Sequence, residues 1–226
     1  MTTKPAAKHD SPIQYMLDHE FIPAEQKHST RLMIMLHGLG DSIAGFRWLP
    51  EAMDLSWMNY VLVNAPDEYY GGWSWFDVHG DIVPGVQRSR ALLFDLLDQV
   101  RARGFPTEQT TLGGFSQGCL MTMEAGLRYP HRFAGLVGIS GWVCEAKKVL
   151  QELSPVARDQ RFLVTHGTFD PMVPFEKTRH QIALLREQGL QIEWREFGKA
   201  HTIAGEEELQ VIRGFIRGRY PDGGSK

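Results

Sequence analysis

Cysteine is scarce in this 226-residue chain: it has two, Cys119 and Cys144. Two thiols are too few for a disulfide framework, and no C-x-x-C pair or H-E-x-x-H segment offers metal-ligand spacing. The sequence therefore implies neither a metal nor any other cofactor. No apolar run approaches the ~18–20 residues of a membrane span, so stable membrane insertion is not expected. Charge of one sign is missing too. With a formal net charge of -3 the chain has no basic footprint for nucleic acid or an anionic membrane. The opening MTTKPAAKHDSP is polar, proline-broken and without the apolar centre of a secretory signal. Together with the free thiols, this points to a cytoplasmic protein. Internal repeats and long low-complexity linkers are absent as well.

What is present is an alternation. The segments 31–36, 60–66, 110–115, 133–140, 161–167 and 191–197 are short apolar or alternating runs that read as strands, the most apolar as strands buried on both faces. Longer amphipathic stretches at 85–104, 174–189 and 203–220 read as helices, and Pro174 and Gly189 supply start and stop chemistry for the second. The pattern predicts an α/β domain over 13–220, with a mostly parallel central sheet covered by helices on both faces. Residues 1–12 and 221–226 are expected to be tails. The segment 13–27 is a candidate for an added antiparallel strand.

The chemistry is concentrated in GGFSQGC, residues 113–119. Ser116 stands between Gly114 and Gly118, at the junction of the strand TTLGGF and a helix ending near Pro130. That is the context of a nucleophile elbow, and it aims the first helix amides, Gln117 included, at the place where an oxyanion would form. The competing reading is a serine helix cap with incidental glycines. A serine nucleophile needs a base and an orienting acid; in a fold built on such an elbow they come in the order Ser, Asp or Glu, His, each past the end of a strand. Asp170 follows RFLVTHG, and His201 follows QIEWREFG. His166 precedes the acid and His180 lies within a helix, so neither fits as the base. His37, in LHGLGD, reads as an anchor for its loop. GDSI at 40–43 offers Ser42 as a rival nucleophile, but no histidine has an aspartate three positions before it, as that alternative requires. Ser42 is expected to help cap a helix with Asp41.

The blocks LHGLGD (36–41), NAPD (64–67), WSWFD (73–77), GGFSQG (113–118), HGTFDPMVP (166–174) and AHTI (200–203) together carry a resemblance. The chain resembles the small carboxylesterase / acyl-protein thioesterase (phospholipase/carboxylesterase) group of α/β-hydrolases across about residues 30–218. The resemblance implies an α/β-hydrolase fold and a cofactor-free serine hydrolase of carboxylic esters or thioesters. It implies a triad of Ser116, Asp170 and His201, with oxyanion amides at Leu39 and Gln117. Cys119 and Ala200 stand where the family commonly has glycine, and only DEYYGGW (67–73) lies between the A-P pair and the W-S-W-F-D block. That short loop, and the lack of room for a lid between Trp142 and Arg161, point to short or medium acyl chains. A long-chain thioesterase or lysophospholipase is the alternative, and a non-catalytic binding protein of the same fold a further one. Trp75, Trp142 and Met172 are the candidate substrate-binding side chains, with core packing the competing role for Trp75. The expected partner is a small ester or thioester, and the sequence leaves a homodimer open.

Overall fold

Strand β2 (Leu32–Leu36) is buried at every position, and its side chains divide between two cores. Leu32, Ile34 and Leu36 face one core, and Met33 and Met35 the other. Successive strand side chains point to opposite faces, so a run apolar at every position demands cover on both. The same division recurs in β3 (Asn59–Val63), β7 (Gly135–Ile139) and β8 (Arg161–Gly167). The computed structural model describes residues 17–220; the tails expected at 1–12 and 221–226 lie outside them.

With β1 (His19–Ile22), β6 (Thr110–Phe115) and β9 (Gln191–Phe197), these strands form a seven-stranded sheet of order β1-β3-β2-β6-β7-β8-β9. β1 pairs antiparallel with β3, as the 13–27 segment suggested, and every other pairing is parallel. Helices α2 (Val83–Ala102), α3 (Gln117–Arg128) and α5 (Phe175–Glu187) put apolar side chains into the first core. Helices α1 (Leu49–Met53) and α6 (Gly205–Arg217) supply the second. A short α4 (Ala146–Val149) and a 3₁₀ turn at Ala157–Asp159 are the only helical elements between β7 and β8 among the described residues, so no cap domain stands there.

The strand order has a functional consequence. From β2 the chain moves outward to β3, then returns to the other side of β2 as β6 and continues outward through β7, β8 and β9. The segments leaving β2 and β6 therefore diverge and open a crevice beyond their carboxyl ends, where open α/β sheets bind ligands. One departure from the sequence reading is local. Residues 67–73, expected as a plain loop, form a hairpin of β4 (Asp67–Tyr69) and β5 (Gly72–Ser74). Its turn takes Tyr70 and Gly71 to positive φ, 45° and 85°, the hand that matches strand twist.

Candidate active site

Ser116 follows the last residue of β6 and precedes the first of α3, with φ 55° and ψ -114°. A side chain held there costs about 1–3 kcal/mol, so packing around it must enforce the turn. It does so by close backbone approach. A Cβ on Gly114 would lie 2.1 Å from the Gly118 carbonyl oxygen, and one on Gly118 would lie 2.2 Å from that of Leu36. The Ser116 N–H donates to Ile139 O at 2.9 Å, tying the turn to the neighbouring strand.

Asp170 and His201 reach the same point from the ends of β8 and β9. His201 Nδ1 lies 2.7 Å from Asp170 Oδ2, and its Nε2 lies 2.9 Å from Ser116 Oγ. A carboxylate only accepts, so Nδ1 carries the proton and donates it to Asp170, leaving Nε2 to accept from the serine hydroxyl. The other Asp170 oxygen accepts the N–H groups of Met172 and Val173, both at 2.9 Å. Burial alone would raise the Asp170 pKa; these N–H donors and His201 outweigh it and hold the carboxyl below its ordinary value. The His201 ring packs on Phe115, with centroids 4.9 Å apart.

The loop after β2 closes the other side. A Cβ on Gly38 would stand 3.2 Å from Ser116 Cβ, so Leu39 follows directly beside the serine. Among the described residues, the N–H groups of Leu39 and Gln117 find no acceptor in the protein, and both residues line the cavity at Ser116. His37 anchors this loop. Its Nε2 accepts the Ala65 N–H at 3.0 Å, and its Nδ1–H therefore donates to Gly38 O at 2.6 Å. Burial lowers the His37 pKa and keeps the ring neutral, as that pattern requires.

The Gln117 side chain has a role that sequence reasoning missed. Its Oε1 accepts the Trp75 N–H at 2.9 Å, and its Nε2 donates to Phe76 O at 2.9 Å. This locks the 74–76 segment against the start of α3. It also corrects one expectation. Trp75 is fully buried and does not line the cavity; its Nε1–H donates to His37 O at 2.9 Å, which makes it a prop for the loop after β2. Trp142 and Met172 do line the cavity. Trp142 is braced edge-on by buried Phe76, and Met172 is exposed at the mouth. Ser42 departs from expectation too: its side chain caps nothing, and Asp41 Oδ1 instead accepts the Ser42 N–H at 2.7 Å. His166 lies behind Asp170, fully buried, and is held by a 3.0 Å hydrogen bond to Val173 O.

The cavity holds about 540 Å³, within the range of small-molecule sites. Val78, Trp142, Met172 and Val173 give it apolar walls, and Lys177 stands among the lining residues. Burial pushes the Cys119 thiol up to about 12, so it is a neutral filler under the turn, not a nucleophile. Among the described residues no group of three or more His, Cys, Asp or Glu is arranged to hold a metal, and no helix is long and apolar enough to cross a membrane.

A parallel sheet whose switch point carries a strained serine on a strand-to-helix turn defines the α/β-hydrolase fold. Within it the chain belongs to the phospholipase/carboxylesterase family, whose model matches residues 17–219. It is 34% identical over 203 residues to acyl-protein thioesterase 1 of Schizosaccharomyces pombe, covering 81% of this chain and 89% of that relative. Among solved structures it is similar to Arabidopsis thaliana SOBER1, with a TM-score of 0.77 and 28% identity over 84% of this chain and 98% of that one. It is also similar to esterase PE8, with a TM-score of 0.78 and 26% identity over 90% and 99% of the two chains.

Proposed function

We propose that this protein is a serine hydrolase that cleaves carboxylic esters of short to medium acyl chains through an acyl-enzyme. The observation that carries the proposal is the relay from Asp170 Oδ2 through His201 to Ser116 Oγ, at 2.7 and 2.9 Å, ending on a serine held at positive φ. In this reading His201 Nε2 takes the Ser116 proton as Oγ attacks the ester carbonyl. Asp170 keeps the imidazole in the required tautomer and stabilises the imidazolium. The carbonyl oxygen becomes an oxyanion, met by the Leu39 and Gln117 N–H groups, which are fixed by the fold and need no reorganisation as charge develops. His201 then passes its proton to the departing alcohol or thiol. Water repeats the sequence on the acyl-enzyme. A cytoplasmic location belongs to the same proposal, supported by the two free, buried cysteines.

A fluorophosphonate probe tests the assignment. It should label the wild type at Ser116 and leave a folded Ser116→Ala variant unlabelled and inactive. Labelling that persists in that variant, or that maps to Ser42, would overturn it. The name of the fission-yeast relative favours a second reading, thioester cleavage on acylated proteins. Matched oxygen and thioester substrates of one acyl chain separate the two.

A further inference from the structure

His201 borders a second depression, whose lining does not include Trp142 or Met172. It holds about 390 Å³ and is walled by Phe46, Trp48, Phe115, Ile203 and Leu209. The two cavities share Asp41, Phe115 and His201, but only the first includes Ser116, Leu39 and Gln117. The carbonyl being attacked must lie in the first, against Oγ and the free amides. The departing oxygen must lie within reach of His201 Nε2, because that atom supplies its proton. The second depression adjoins the first at His201, so a group attached to that oxygen has it within reach.

We infer that this depression is the subsite for the alcohol portion of the ester, and that it takes an aromatic or bulky alkyl alcohol without negative charge. The inference rests on the hydrolase reading above. Trp48 is 41% exposed, yet its ring is fixed: Nε1–H donates to Gly45 O at 2.7 Å, and the ring stacks on Phe46 at 6.1 Å and 26°. An exposed, immobilised aromatic plane beside apolar Ile203 and Leu209 offers contact area at little entropic cost. The Asp41 carboxylate at the junction of the two cavities disfavours anionic alcohols.

Acyl transfer isolates this subsite from the acyl site. Vinyl butanoate acylates Ser116 and releases a small enol that leaves as acetaldehyde. An added alcohol can then compete with water. His201 takes the alcohol proton as its oxygen bonds to the acyl carbon; the carbon–Oγ bond breaks, and Oγ recovers the proton. We expect benzyl alcohol to capture at least about tenfold more acyl groups than ethanol at equal concentration. Trp48→Ala should lower that benzyl-to-ethanol ratio by about fivefold, and Trp48→Phe should retain most of it. A wild-type ratio near one overturns the inference. So does a ratio unmoved by Trp48→Ala, or a Trp48→Ala effect that follows acyl length rather than the alcohol. No turnover of vinyl butanoate by the folded wild type would instead refute the hydrolase reading itself.

Discussion

Removing the cation from the Lys199–Glu208 pair should destabilise the protein far more than removing both charges. Lys199 lies just after β9 and two residues before His201, and Glu208 lies in α6. The Lys199 Nζ stands 2.6 and 2.7 Å from the two carboxylate oxygens, and the side chains are 3% and 0% exposed. Glu208 Oε2 also accepts the Ala204 N–H at 2.6 Å, so the pair clasps both ends of the loop that carries His201. Burial pulls the Lys199 pKa below the ordinary lysine value despite the opposing pull of Glu208, the mark of a pair whose desolvation is costly. Lys199→Met leaves a buried carboxylate with Ala204 as its one remaining donor. Breaking such a pair costs about 3–5 kcal/mol. At about 2–4 °C per kcal/mol for a domain of this size, Tm should fall by about 6–20 °C. Lys199→Met combined with Glu208→Gln removes both charges but keeps an acceptor for Ala204, and should recover at least about 1.5 kcal/mol of the loss. Calorimetry on the wild type, both single variants and the double variant measures the coupling. A Lys199→Met loss below about 1 kcal/mol, or additive single effects, would refute the reasoning.

Four further outcomes follow from the site. Gly118→Ala places a Cβ 2.2 Å from Leu36 O and 2.7 Å from His37 O, which must displace either the start of α3 or the loop bearing Leu39; kcat/KM should drop by about 10²-fold, and wild-type activity in a folded variant would contradict the close-approach argument. Burial lowers the pKa of both His37 and His166, so the unfolded chain binds more protons at these sites; their contribution to stability is complete above about pH 6.5 and is lost as pH falls toward their folded values, and a flat Tm between about pH 7 and 5 would refute this. Asp170, whose pKa is lowered by its N–H donors and His201 against the cost of burial, contributes fully above about pH 4 and loses that contribution below it. With about 540 Å³ of cavity and no cap, kcat/KM for p-nitrophenyl esters should peak at about four to eight acyl carbons, gaining up to ~0.8 kcal/mol per buried methylene; a steady rise through palmitoyl esters would favour the thioesterase reading.

The amino-acid sequence by itself determined the sheet and its chemistry-bearing ends. Runs such as LMIML and GLVGI are short and apolar at every position, which suits a strand covered on both faces, and the register of β2, β6, β7 and β8 agrees. The glycines two residues either side of Ser116 marked a turn too tight for side chains, and the turn takes that form. Asp170 and His201 were legible because both follow strand runs directly. Only the tertiary structure decided what those ends face. Local pattern carries no information on strand order, and it is the return of β6 to the far side of β2 that sets Leu39 beside Gln117. Trp75 shows the same limit. An aromatic near a site suits a pocket wall or a core equally well, and the Gln117 clamp, from a residue 42 positions away, turned this one inward. The β4–β5 hairpin was hidden because tyrosine, not asparagine or glycine, occupies the first positive-φ position of its turn. The burial of Lys199 and Glu208 has no signal in the sequence for a similar reason: charged side chains are rarely buried unless paired, and pairing across a loop and a helix exists only once both have packed.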